Sequence, residues 1–125
     1  MPAASAAYCG GMPTQRLVAH LRELGFSPYE ARCYAGLLGA GPLTGYAVAK
    51  LTGVPQPKVY ETLRRLVARG AAEQAPGPPI RFTAVDPQDL LNRLAAAHAA
   101  QIAAVRAAAE QLLALKIGSR RSEHY

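Results

Sequence analysis

The residues best equipped for chemistry lie in one run, GVPQPKVYETLRRLVARG (Gly53 to Gly70), which carries Gln56, Lys58, Arg64 and Arg65. An arginine forks onto the O6 and N7 acceptors of guanine, a glutamine amide pairs with adenine, and a lysine neutralises a phosphate as a point charge. Val59, Leu63, Leu66 and Val67 recur at spacings of four, three and one. The run is therefore an amphipathic helix starting near Gln56, where Pro57 in the first turn costs no hydrogen bond. On a helical wheel Pro57, Glu61, Arg64 and Ala68 lie opposite the apolar stripe, with Tyr60 and Arg65 on its flanks. One of the two arginines is expected near base edges and the other on phosphate, with Lys58 and Glu61 on the same surface. Tyr60 has two readings, a packing residue on the flank or a phosphate donor through its hydroxyl.

The elements that must position this helix are legible on either side. Thr14 is placed to cap a helix to about Leu24, with Leu17, Val18, Leu21 and Leu24 on one stripe, and Gly25 stops it. Ser27, Pro28 and Glu30 form a capping box for a second helix through Ala31, Tyr34, Leu37 and Leu38, ended by Gly39 and Gly41-Pro42. Thr44 caps a short third helix with Ala47, Val48 and Leu51 inward, and as a cap it can present the helix amides to a phosphate. Gly53 allows the left-handed turn that two steeply crossing helices need. After Gly70, residues 71–75 and 80–85 are short strand candidates joined by a rigid PGPP turn, with Arg81 on the second. Helix, tight turn, surface helix and basic hairpin together spell a winged helix-turn-helix over residues 13–86. Arg81 is then expected to touch a phosphate or the minor groove, and Lys50 the backbone.

Charge and composition agree. The chain has 125 residues and a net charge of +6. Residues 1–85 hold nine of the Lys/Arg against four acids, and residues 86–125 five against four, so the excess lies with the helix-turn-helix. Two cysteines are too few for a disulfide scaffold or a zinc site, and Cys33 reads as a buried free thiol. Residues 1–12 are small and patternless, with neither a basic leader nor an apolar run, and are expected to be disordered. Nothing approaches the roughly 20 apolar residues of a membrane span, so a cytoplasmic protein is expected. No Ser/His/Asp or Cys/His arrangement, carboxylate pair or Gly-rich phosphate loop is present, so neither an enzyme nor a cofactor or metal is expected.

From Pro87 the pattern turns helical again to about residue 116, with Asp86 as cap and Asp89 in the first turn. Leu91, Ala95, His98, Ile102, Val105, Ala109 and Leu112 alternate at spacings of four and three, and Leu94 broadens the stripe. So long an apolar face predicts pairing with the same helix of a second chain. His98 in that seam reads as a packing residue before a pH switch or metal ligand. Residues 117–125 read as a polar tail. The expected fold is mainly α with a small β-hairpin wing, followed by a long coiled-coil dimerisation helix.

With these residues in view, LGFSPYEARCYAGLL (Leu24–Leu38), GPLTGYAVAKLTGVPQPKVYETLRRLVARG and RFTAVDPQDLLNRL (Arg81–Leu94) resemble the TrmB family of winged-helix regulators. The marks are the LGFSPYEA entry, the GVP turn, the VYETL helix and the AVDP exit from the wing. The resemblance spans about residues 20–115. It implies a dimeric, sequence-specific regulator bound to double-stranded DNA at an inverted repeat. The Gln56-Pro57 entry departs from the family's commoner Ser/Thr/Arg-rich turn, so the bases read do not carry over. Longer members continue into a sugar-binding effector domain. This chain ends after the linker helix, so no small-molecule effector is expected. The competing class is a winged-helix and coiled-coil adaptor that binds proteins rather than DNA; such an adaptor would expose apolar residues where Pro57, Glu61, Arg64 and Arg65 stand.

Overall fold

The computed structural model describes residues 11–123, and the side chains of 11–118. Eight elements follow in order: α1 (Met12–Glu23), α2 (Pro28–Ala40), β1 (Leu43–Thr44), α3 (Gly45–Thr52), α4 (Gln56–Ala68), β2 (Ala72–Ala75), β3 (Arg81–Ala84) and α5 (Pro87–Glu123). They divide into two compact units, one up to Pro87 and the other from Gln88.

Local chemistry sets the ends of most helices. The Ser27 hydroxyl accepts from the Glu30 amide at 3.1 Å while the Glu30 carboxylate accepts from the Ser27 amide at 2.9 Å, closing the capping box of α2. Thr44 accepts from the Ala47 amide at 3.1 Å and caps α3. Gly53, at φ +76°, makes the left-handed turn between α3 and α4. The first helix differs from expectation. It begins at Met12 behind Gly11, which offers no side-chain cap, and Pro13 in its first turn fixes a helical φ. Thr14 therefore lies inside the helix. Most of the residues expected to be disordered, 1–10, lie outside the described ones.

The core of the first unit gathers Leu21, Phe26, Tyr34, Leu37, Val48, Val54, Val59, Leu63, Leu66 and Phe82. Val67 and Leu51 are only half-buried, and Leu24 and Leu38 are exposed. In α4 it is Thr62, not Val67, that completes the buried stripe. Its hydroxyl is satisfied by donating to the Lys58 carbonyl at 2.8 Å.

The sheet holds a strand that sequence reading missed. Leu43 and Thr44 pair antiparallel with Phe82 and Arg81, so the order is β1-β3-β2 and the hairpin's second strand is the middle of a three-stranded sheet. Tyr34 ties α2 to the exit of that sheet, its hydroxyl donating to the Val85 carbonyl at 2.8 Å. Burial, with the nearby Asp86 charge adding to it, pushes the phenol up to about 12. Tyr34→Phe should cost about 1–3 kcal/mol, because the Val85 carbonyl then stays buried without a donor. A urea midpoint unchanged from the parent would contradict this. Cys33 is a buried free thiol, pushed up to about 12 by burial, with Arg32 and the neighbouring Thr52 hydroxyl acting weakly against it.

Arg69 joins three parts of the unit. Its guanidinium meets the Glu30 carboxylate at 2.9 Å, reaches the Gly25 carbonyl at 3.4 Å and lies 3.8 Å from the Phe26 ring centroid. This cation belongs to the scaffold, and its charge is matched by Glu30.

In the second unit α5 is one helix of 37 residues, about 56 Å long. It passes through Gly118 to Glu123, where a polar tail was expected. Each residue added to an established helix gains a hydrogen bond, and one glycine costs only about 1 kcal/mol. The ends of the expected tail, His124 and Tyr125, lie outside the described residues. No helix among the described residues is long and apolar enough to cross a membrane.

Candidate nucleic-acid interface

Helix α4 presents its polar face outward. Gln56, Pro57, Lys58, Tyr60, Glu61, Arg64 and Arg65 are all exposed, because the four buried positions Val59, Thr62, Leu63 and Leu66 take the opposite side. The two arginines differ in a way the sequence reading did not separate. Arg65 donates to the Glu61 carboxylate one turn back at 2.7 Å, whereas Arg64 makes no ion pair among the described residues. Arg64 is thus the guanidinium whose five donors are available to an external acceptor. Glu61 serves to orient Arg65.

The sheet brings together two predicted site residues distant in sequence. Thr44 at the start of α3 and Arg81 on the wing are register partners in the β1–β3 ladder. Arg81 is exposed and Thr44 half-buried, its hydroxyl spent on the α3 cap. Tyr60 approaches the same place from α4. A Cβ on Gly45, the first residue of α3, would stand 2.5 Å from the Tyr60 Cε1 and 3.0 Å from its hydroxyl. The ring therefore rests on the glycine, with the phenol beside the amide end of α3. Its packing and donor roles are compatible, since the ring remains 43 % exposed.

Tyr46 is a surface residue that sequence reading passed over. It stands at the second position of α3, 55 % exposed, with the Lys50 ammonium 5.3 Å from its ring centroid. The signal was available: an aromatic four residues before a lysine on a capped helix shares a face with it. Thr44, Tyr60 and Arg81 meet at the start of α3, Tyr46 and the Lys50 of its last turn extend along the same helix, and the α4 face carries Gln56, Lys58 and Arg64. A helix N-terminus flanked by cations and phenols suits an anionic backbone, and the outward α4 face suits a groove. Among the described residues no group of three or more His, Cys, Asp or Glu could hold a metal ion.

On α5, Leu91, Ile102, Val105 and Leu112 are 46, 45, 69 and 68 % exposed, and Ala95, His98 and Ala109 are exposed between them. Leu94 is half-buried. The seam is thus an open apolar stripe on the single chain.

Comparison with known proteins places this architecture. Residues 21–88 match the family described as sugar-specific transcriptional regulator TrmB. The chain is 44 % identical over 72 residues to an uncharacterized protein, YrhO, of Bacillus subtilis, covering 58 % of this chain and 26 % of that one. It is 36 % identical over 83 residues to the DNA-binding HTH-type transcriptional repressor TrmBL2 of Thermococcus kodakarensis, covering 66 % of this chain and 31 % of the repressor. It spans about a quarter to a third of these relatives. A solved structure of TrmBL2, described as an archaeal chromatin protein with a novel mode of DNA binding, superposes with a TM-score of 0.72 at 32 % identity. That match covers 82 % of this chain and 42 % of the other. The fold is that of a winged helix-turn-helix followed by a long helix, and the chain belongs to the TrmB family of transcriptional regulators.

Proposed function

We propose that the protein is a sequence-specific double-stranded DNA-binding regulator that acts as a homodimer on an inverted-repeat operator. The observation that carries this reading is the outward face of α4, where Arg64 stands exposed and without an ion pair among the described residues. In the proposed complex α4 enters the major groove, with Gln56 and Arg64 at base edges and Lys58 and Arg65 toward phosphates. Helix α3, with Thr44 and Tyr60 at its start and Tyr46 and Lys50 along it, lies against the backbone, and Arg81 reaches a phosphate or the minor groove from the wing. The DNA-binding repressor among the relatives supports the same partner. The exposed α4 face is mainly polar, with Tyr60, Pro57 and Ala68 as its apolar members, which favours DNA over the adaptor reading.

Two substitutions separate base reading from charge. Arg64→Ala should cost about 1–3 kcal/mol on the cognate duplex and relax preference at one base pair. Lys58→Ala should weaken all duplexes alike and lower the salt slope by about one unit. Binding isotherms on cognate and random duplexes at several salt concentrations decide the matter. Equal losses on both duplexes for both variants would show that this face supplies charge alone.

A further inference from the structure

The α5 seam has a direction written into its side-chain sizes. Assigned to a heptad, Leu91, His98, Val105 and Leu112 take one core position and Ala95, Ile102, Ala109 and Lys116 the other. In a parallel pair each residue meets itself. Ala95 and Ala109 would then form two thin layers, His98 would face His98, and Lys116 would face Lys116. Thin layers leave unfilled space, and two ammonium groups in one layer repel. An antiparallel pair mixes the two core positions. With Ile102 opposite the partner's Val105, Leu112 fills the space over the partner's Ala95 and His98 that over the partner's Ala109. Lys116 then meets the partner's Leu91 at the end of the seam. Large faces small along the run, like charges are kept apart, and the helix dipoles oppose.

We infer that the partner of this exposed face is a second copy of α5 running antiparallel in that register. The inference rests on the homodimer proposed above and adds its direction. Leu91 of one chain stands level with the partner's Lys116, so the two Leu91 positions are 25 residues apart along the axis, about 38 Å. A parallel pair would instead start its two helices side by side.

Spin labels on the outer face read the direction without touching the seam. Ala100, Ala107 and Ala114 are exposed and lie on the heptad position opposite the core. Each is replaced by cysteine, singly, in the full chain carrying Cys9→Ser and Cys33→Ala, and distances within the dimer are measured by pulsed dipolar spectroscopy. In the antiparallel register the axial offset between equivalent labels is about 10 Å at both 100 and 107 and about 32 Å at 114. The expected result is equal distances at the first two positions and a distance longer by about 10 Å or more at the third. Equal distances at all three would overturn the antiparallel arrangement, and unequal distances at 100 and 107 would overturn this register. Absence of dipolar coupling at every site, with a monomer by light scattering, would overturn the homodimer itself.

Discussion

Leu112→Asp is expected to separate the chains and release DNA in the same titration. In the single chain Leu112 is 68 % exposed on α5, so the substitution leaves the fold of either unit untouched. In the proposed dimer it acts twice. Each copy loses the burial of a leucine, about 1.5–3 kcal/mol, and places a carboxylate against apolar partner surface, where an unpaired charge costs more. A total near 5 kcal/mol corresponds to more than a thousandfold weaker association. Light scattering at micromolar concentration should report a monomer, and operator affinity should fall with it because one half-site contact is lost. A Leu112→Asp protein that stays dimeric would remove the seam from the interface, and a parent protein monomeric at that concentration would remove the dimer.

Leu63→Ala has the largest expected effect within the first unit. Leu63 is fully buried at the middle of α4, between Val59 and Leu66, which are fully buried too. Truncation removes its transfer free energy and leaves a cavity the surrounding helices cannot close, a cost of about 2–5 kcal/mol. Small domains hold only about 5–15 kcal/mol in total, so the denaturant midpoint should fall steeply and DNA binding should vanish on mild warming. Arg64→Ala on the outward side of the same helix should leave the midpoint within about 0.5 kcal/mol while weakening binding. Comparable loss of stability in both variants would mean that the two faces of α4 have been misassigned.

The elements that the sequence reading located are those whose specification is local. The Ser27–Glu30 capping box, the Thr44 cap and the Gly53 turn each involve residues a few positions apart, and all three stand where their residue types put them. The apolar spacing of α4 likewise placed Val59, Leu63 and Leu66 inward and the arginines outward. Its errors there were of degree: Thr62 is buried because its hydroxyl bonds within the helix, and Arg65 is held by Glu61, an i,i+4 pair that was readable and went unread. The far end of α5 escaped because helix termination without a strong stop signal depends on small propensity differences.

What one segment does to another had to come from the tertiary structure. Leu43 and Thr44 are too few to show a strand period, and they become β1 only because the wing's Phe82 and Arg81 lie beside them. Arg69 looked like one more surface cation until Glu30, Gly25 and Phe26 closed around it. Tyr60 settles on Gly45 because the Gly53 turn folds α4 across α3 and only a residue without a Cβ leaves room for the ring. By itself the sequence determined the middle helices, the Ser27 and Thr44 caps, the Gly53 turn and the outward cationic face, through interactions that span a turn or two. Which of those cations stay available, and which residues meet around the start of α3, was decided by contacts between segments tens of residues apart, whose partners local patterning does not identify.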